Sequence, residues 1–211
     1  MQIYLISDRR TLFTPTEIFS EDQARKRLIT LGEQAAAMKV DFFQLREKDL
    51  SPRICFEVAR ELATLFHQTD TQLLINDRVD IAIASGAKGV HLTTTSLLAT
   101  QIRAWAPAEF TIGISTHTVA ELQRASPGAT FAVCGPAFET PGKPRLGLEP
   151  LTQIIHTSPV PVFALGGITV DNAAELKQTG AIGVAGIRLF AQAALRGPTE
   201  FCDLISYLKA L

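Results

Sequence analysis

Short apolar runs alternate along the chain with longer segments whose apolar residues recur at helical spacing. The strand-like runs are QIYLISD (2–8), DFFQLRE (41–47), QLLIND (72–77), GVHL (89–92), TIGIS (111–115), TFAVCG (130–135), PVFALGG (161–167) and GVAGIRLF (183–190). Between and after them lie amphipathic patterns at 21–38, 51–68, 78–86, 97–106, 118–126, 148–157, 171–180 and 198–211. Strands that are almost continuously apolar and alternate with helices predict a parallel sheet covered by those helices. Repetition of the unit through the whole chain predicts closure into a (β/α)8 barrel, a single domain over residues 1–211; a doubly wound open sheet is the alternative. Ser51-Pro52 and Asp171 read as helix starts and Gly180 as a helix stop.

In such a barrel, chemistry gathers where strands run into the loops that follow them. The stretch DFFQLREKD (41–49) is unusual there: Gln44, Arg46 and Lys48 share one face of a strand, and Phe43, Leu45 and Glu47 the other. Cations crowded on the axis side of a barrel require a negative partner, so this strand predicts an anionic ligand. Asn76, Asp77 and Arg78 end the third strand, and Ser115 and His117 follow the fifth. The loop after the sixth strand, GPAFETPGKPRLG (135–147), carries Thr140, Lys143 and Arg145 among glycines that permit movement. Gly166-Gly167 ends the seventh strand, where backbone N–H groups can approach a phosphate, and the eighth carries Arg188. Asp77 is a candidate ligand for Mg2+, an ion that prefers oxygen donors and bridges carboxylates to phosphates; an ion pair with Arg78 or Arg46 is the alternative. His91 reads as a satisfied polar residue near the core, and no histidine is assigned a catalytic role.

Composition narrows the classes. With 46% hydrophobic and 19% charged residues and a net charge of -1, the chain has material for a large core and no basic excess for a general nucleic-acid surface. No apolar stretch is long enough to span a bilayer, and MQIYLISDRR does not read as a leader peptide, so a cytoplasmic location with no membrane partner is expected. Cys55, Cys134 and Cys202 are widely spaced and read as packing residues.

The ordered series IYLISDR, QLREKD, INDR, GVHL, IGIST, GPAFETPGK and GGIT resembles the thiamine phosphate synthase family and its relative, the thiazole tautomerase. The resemblance implies condensation of hydroxymethylpyrimidine diphosphate with thiazole phosphate, giving thiamine phosphate and pyrophosphate, with Mg2+ as cofactor. It implies that Arg46, Lys48 and Lys143 act on the diphosphate, and that Gln44, Asn76, Ser115, Thr140, Gly167 and Arg188 bind substrate. Asp77 and Ser96 fall at the metal positions, Ser96 standing where the family usually has an aspartate. Gly142 replaces the usual second threonine of the loop, Arg188 replaces a phosphate-contacting serine, and Pro136 falls where the tautomerase has its catalytic histidine. A tautomerase-like isomerase and a noncatalytic barrel that binds thiazole or thiamine phosphate are the alternative readings. Small molecules are the implied partners, and homo-oligomerisation is left open.

Overall fold

Period-two alternation sorts nearly every strand residue to one of two cores. The computed structural model describes residues 1–142 and 144–211. Its strands are β1 (Gln2–Ile6), β2 (Phe42–Leu45), β3 (Gln72–Asn76), β4 (Gly89–Leu92), β5 (Thr111–Thr116), β6 (Phe131–Cys134), β7 (Val162–Leu165) and β8 (Gly183–Gly186). Each pairs in parallel with its successor, and β1 closes the ring on β8 with Gln2 opposite Gly183. The expected eightfold barrel is therefore the fold, and the open-sheet alternative is excluded.

The helices are α1 (Glu21–Ala37), α2 (Pro52–Phe66), α3 (Val79–Ser85), α4 (Ala99–Arg103), α5 (Val119–Ala125), α6 (Leu148–Thr157), α7 (Arg188–Arg196) and α8 (Pro198–Ala210). In α1 the buried Ala24, Leu28, Leu31 and Ala35 recur at three- and four-residue steps, placing one stripe against the sheet. Ser51 caps α2 by accepting the Ile54 N–H, and Pro52 follows at the first helical position, where its missing N–H costs nothing. Phe201, Leu204, Ile205 and Leu208 give α8 the same kind of apolar stripe. Among the described residues no helix is long and apolar enough to cross a membrane.

The outer core lies between the strands and these helices, with Ile3, Leu5, Phe43, Leu45, Leu73, Ile75, Val90, Ile112 and Val184 all buried there. The inner core is aromatic: Tyr4, Phe131 and Phe163 are buried inside the barrel, and Phe42 packs against them. Large rings fit because small residues face them. A Cβ on Gly113 would lie 2.7 Å from the Phe131 ring and 2.8 Å from His91 Nδ1, so this position accepts no side chain without displacing one or the other. Cys55 and Cys134 are buried and Cys202 is half-buried, all as free thiols.

Two expectations about local structure are corrected. The run 183–190 is not one strand: β8 ends at Gly186, and Arg188 is the first residue of α7. The apolar string IRLF is continuous with the strand in hydropathy, but Phe190, Ala191 and Ala193 are buried at helical spacing against a neighbouring layer. Asp171 does not begin a helix either. A 3-10 turn, Ala173–Thr179, follows Asn172, whose side chain accepts the Thr169 N–H at 2.8 Å. Gly180 ends that turn at φ 80, as expected of a left-handed stop.

Candidate active site

At the loop end of the barrel, inward-facing positions change from apolar to polar, and the polar ones bond to each other across strands. Gln44 Nε2 donates to Asn76 Oδ1 at 3.1 Å, and the Tyr4 hydroxyl donates to Gln44 Oε1 at 3.1 Å. Tyr4 Oη lies 2.9 Å from His91 Nδ1, and His91 Nε2 lies 2.9 Å from Ser115 Oγ. A polar row thus runs from Asn76 through the barrel interior to Ser115. Burial, with the nearby Arg46 charge adding to it, pushes His91 down to about 3, so its ring is neutral at physiological pH. Burial also holds the Tyr4 phenol protonated.

Arg46 continues the inward register of β2 one step beyond Gln44, above this row. It is half-buried, whereas Lys48 is exposed, and among the described residues neither side chain has a hydrogen-bond or ion-pair partner. Glu47, between them, faces the other way and is buried. Arg46 therefore stands above the row without a counter-charge among the described residues, and Glu47 is turned behind the strand; Lys48 lies exposed in the turn after β2, off the strand face it was expected to share with Gln44 and Arg46.

Asp77 directly follows β3 and has a left-handed backbone, φ 63, which a non-glycine residue adopts only at a local cost. Its amide donates to the His91 carbonyl at 2.9 Å. The Ser96 hydroxyl donates to Asp77 Oδ1, and Ser96 Oγ accepts the Thr93 N–H at 2.8 Å, so the loop after β4 is tied to the end of β3. Arg78 pairs with Asp80, at 2.8 and 2.5 Å, and not with Asp77. The Asp77 carboxylate stays exposed, with hydroxyls of Thr93, Thr95 and Ser96 beside one another nearby. Among the described residues no group of three or more His, Cys, Asp or Glu side chains is assembled. One carboxylate with adjacent hydroxyls fits an ion that takes its remaining ligands from substrate phosphates and water, which is the habit of Mg2+.

The other half of the mouth is a cavity of about 1150 Å³ over the ends of β6, β7 and β8, lined in part by His117, Thr140, Gly167, Thr169, Arg188 and Gln192. Its wall is built by the loop after β6. Ala137 and Phe138 donate their N–H groups to the Leu165 and Gly166 carbonyls at 2.8 and 3.0 Å, and the Leu146 N–H returns to the Pro136 carbonyl at 2.8 Å. The base of this loop is therefore pinned to β7. Gly167 has φ 68, and a Cβ there would lie 2.5 Å from the Glu139 carbonyl oxygen, so glycine lets the two loops touch. Thr140 donates to the Phe138 carbonyl at 3.2 Å. Pro136 packs on Gly166 and carries no transferable proton. Facing the cavity, α7 begins without a side-chain cap, which leaves first-turn N–H groups for an anion beside the exposed Arg188.

The structure thus gathers most of the sequence-derived residues into two groups: Gln44, Arg46, Asn76, Asp77, Ser96 and Ser115 on or just after β2 to β5, and Thr140, Gly167 and Arg188 around the cavity, while Lys48 stays exposed in the turn after β2 and joins neither. Lys143 lies outside the described residues. Sequence reasoning passed over Tyr4, which reads as an ordinary apolar strand residue, and noted His117 without a role; its Nδ1 lies 2.6 Å from the Gly135 carbonyl at the cavity edge. It gave no role to Ser7, to Arg9 at the end of the first strand, or to Glu47, whose signal is an acid placed between two cations.

The thiamine monophosphate synthase family model matches residues 15–190. A thiamine-phosphate synthase of Roseiflexus castenholzii is 35% identical over 188 residues, covering 87% of this chain and 78% of that protein. A putative thiamine-phosphate synthase of Geobacter sulfurreducens is 40% identical over 192 residues, covering 87% and 83%. Among solved structures, thiamine phosphate pyrophosphorylase from Pyrococcus furiosus superposes with a TM-score of 0.79 at 28% identity, covering 98% of this chain and 96% of that one. A 3-hexulose-6-phosphate synthase, at 18% identity and a TM-score of 0.64, shares the fold. On the family match, the relatives and the barrel geometry together, the chain belongs to the thiamine monophosphate synthase family.

Proposed function

We infer that the chain is a thiamine-phosphate synthase, a transferase that joins hydroxymethylpyrimidine diphosphate to thiazole phosphate. The carbon–oxygen bond to the diphosphate breaks, the thiazole nitrogen supplies the electron pair for the new carbon–nitrogen bond, and pyrophosphate leaves. The observation that carries this reading is Arg46, half-buried above a polar row that includes Gln44, Asn76 and Ser115 and without a hydrogen-bond or ion-pair partner for its side chain among the described residues, with the exposed Lys48 two residues on. As the bond breaks, negative charge collects on the departing oxygens, and fixed cations aimed there lower the barrier. Gln44 and Asn76 orient the pyrimidine and diphosphate, and Ser115 contacts the diphosphate. Across the mouth, Gly167, the start of α7 and Arg188 hold the thiazole phosphate, with Thr140 on the loop above; a guanidinium takes over from the family's serine through a charge-assisted contact.

Asp77, supported by Ser96, would hold Mg2+ against the diphosphate oxygens. Bound there, the ion supplies positive charge to the leaving group. The partners are these small molecules, and the place of action is the cytoplasm.

The test is turnover by the purified chain with both substrates and Mg2+. Thiamine phosphate and pyrophosphate should form in equal amounts. A folded protein that binds both substrates and releases neither product would overturn the assignment and favour a binding barrel.

A further inference from the structure

This inference rests on the reading above, in which Arg46 and Lys48 meet the diphosphate. The ladder of β2 against β3 ends at Leu45 opposite Ile75, so the backbone that carries both cations lies beyond the sheet's own hydrogen bonds. Something else must aim it. Behind the strand, the buried Glu47 carboxylate accepts the Ser7 hydroxyl at 2.6 Å, the Arg9 N–H at 3.1 Å on each oxygen, and Arg9 Nη1 at 3.1 Å. Ser7 Oγ in turn accepts the Arg46 N–H at 2.9 Å. The Arg9 guanidinium, itself buried, continues to Asp49 at 2.5 and 3.1 Å and to Glu21 at 3.0 Å through both Nε and Nη2.

The two acids that flank Lys48 are thereby held by one guanidinium, and the amide of Arg46 is held by the serine attached to the same carboxylate. Beyond Glu47 the chain turns, with the Leu50 N–H returning to the Glu47 carbonyl at 3.3 Å, so fastening Glu47 behind the strand and the Arg46 amide on Ser7 fixes Arg46 as the last inward-facing position after β2. Arg9 also neutralises acids that would otherwise compete for the two cations. We propose that Ser7, Arg9 and Glu47 form a positioning clamp for the diphosphate half of the site, acting through Arg46 without touching substrate.

Ser7→Ala tests the clamp, measured beside Arg46→Ala and the double variant. Calorimetric titration with pyrophosphate and Mg2+ should show about tenfold weaker binding for Ser7→Ala, the scale of one net hydrogen bond. The KM for the pyrimidine diphosphate should rise in step, while affinity for thiazole phosphate stays within about twofold of wild type. In the Arg46→Ala background, Ser7→Ala should add less than about twofold, because its route to the ligand is already gone. Equal weakening of both ligands, no weakening of either, or full multiplication of the two single effects would each overturn the clamp. Full pyrophosphate affinity in Arg46→Ala would instead sink the functional reading on which the clamp stands. Should Ser7→Ala fail to fold, Arg9→Lys keeps the charge but loses the forked contacts, and the same selective loss of pyrophosphate affinity is expected.

Discussion

The buried histidine in the polar row gives a pH dependence with a definite sign. His91 is pushed from an ordinary value of 6.5 down to about 3, first by burial and then by Arg46. The native state therefore binds fewer protons than the unfolded chain between these two values. Its contribution to stability is present above pH 6.5 and is lost progressively as pH falls toward 3. From pH 7 to pH 5 the unfolded histidine gains about three quarters of a proton and the native one almost none. At 1.36 kcal/mol per pH unit below 6.5, the loss by pH 5 is about 2 kcal/mol. Glu47 acts with the opposite sign: burial raises its carboxyl against the pull of its hydrogen bonds, so lowering the pH toward that raised value favours the native state. A difference measurement removes this term. Unfolding free energies from urea titrations at pH 7, 6 and 5 should be compared for the native sequence and His91→Gln, which retains hydrogen-bonding groups and cannot titrate. The variant should be less stable at pH 7, but the gap should close by about 2 kcal/mol between pH 7 and pH 5. Parallel curves for the two proteins would refute the claim that this ring stays neutral because it is buried.

Three further outcomes follow from the site. Arg46→Ala should lower kcat/KM by about 10²- to 10³-fold while the unfolding midpoint stays close to that of the native sequence, because among the described residues the side chain has no hydrogen-bond or ion-pair partner to lose; steady-state kinetics beside a thermal scan decide it. Gly167→Ala forces a Cβ to within 2.5 Å of the Glu139 carbonyl at φ 68, and the left-handed backbone alone costs about 1–2 kcal/mol. That variant should melt earlier and bind thiazole phosphate more weakly, and an unchanged midpoint would contradict the contact. Ser96→Asp places a second carboxylate beside Asp77, so the Mg2+ concentration for half-maximal turnover should fall by about tenfold, a typical scale for one added charged ligand at close range; a titration of activity against Mg2+ that does not move would argue against Asp77 as the ion's anchor.

The barrel was legible because its cause is local and repeated. Period-two runs and helical stripes each commit a segment to one element, and a parallel strand order then follows from the connections. The alternation in DFFQLREKD also put Gln44 and Arg46 on one face before any contact was known, but it did not foresee that the strand stops at Leu45 and leaves Lys48 in a turn. What hydropathy could not separate was the end of β8 from the start of α7, since Gly-Ile-Arg-Leu-Phe suits either element until Phe190 finds its layer. Only the closed tertiary structure placed Asn76, Gln44, Tyr4, His91 and Ser115 in one hydrogen-bonded row, because those residues lie on separate strands and meet through the barrel's register. It alone decided which acids answer which cations: Glu47 and Asp49 are drawn to Arg9 behind the strand, a partner some forty residues distant in the chain, and among the described residues Arg46 and Lys48 are left without a counter-charge. Spacing along a strand fixes the face of a side chain, but the counter-charge it meets depends on what the rest of the molecule packs against that face.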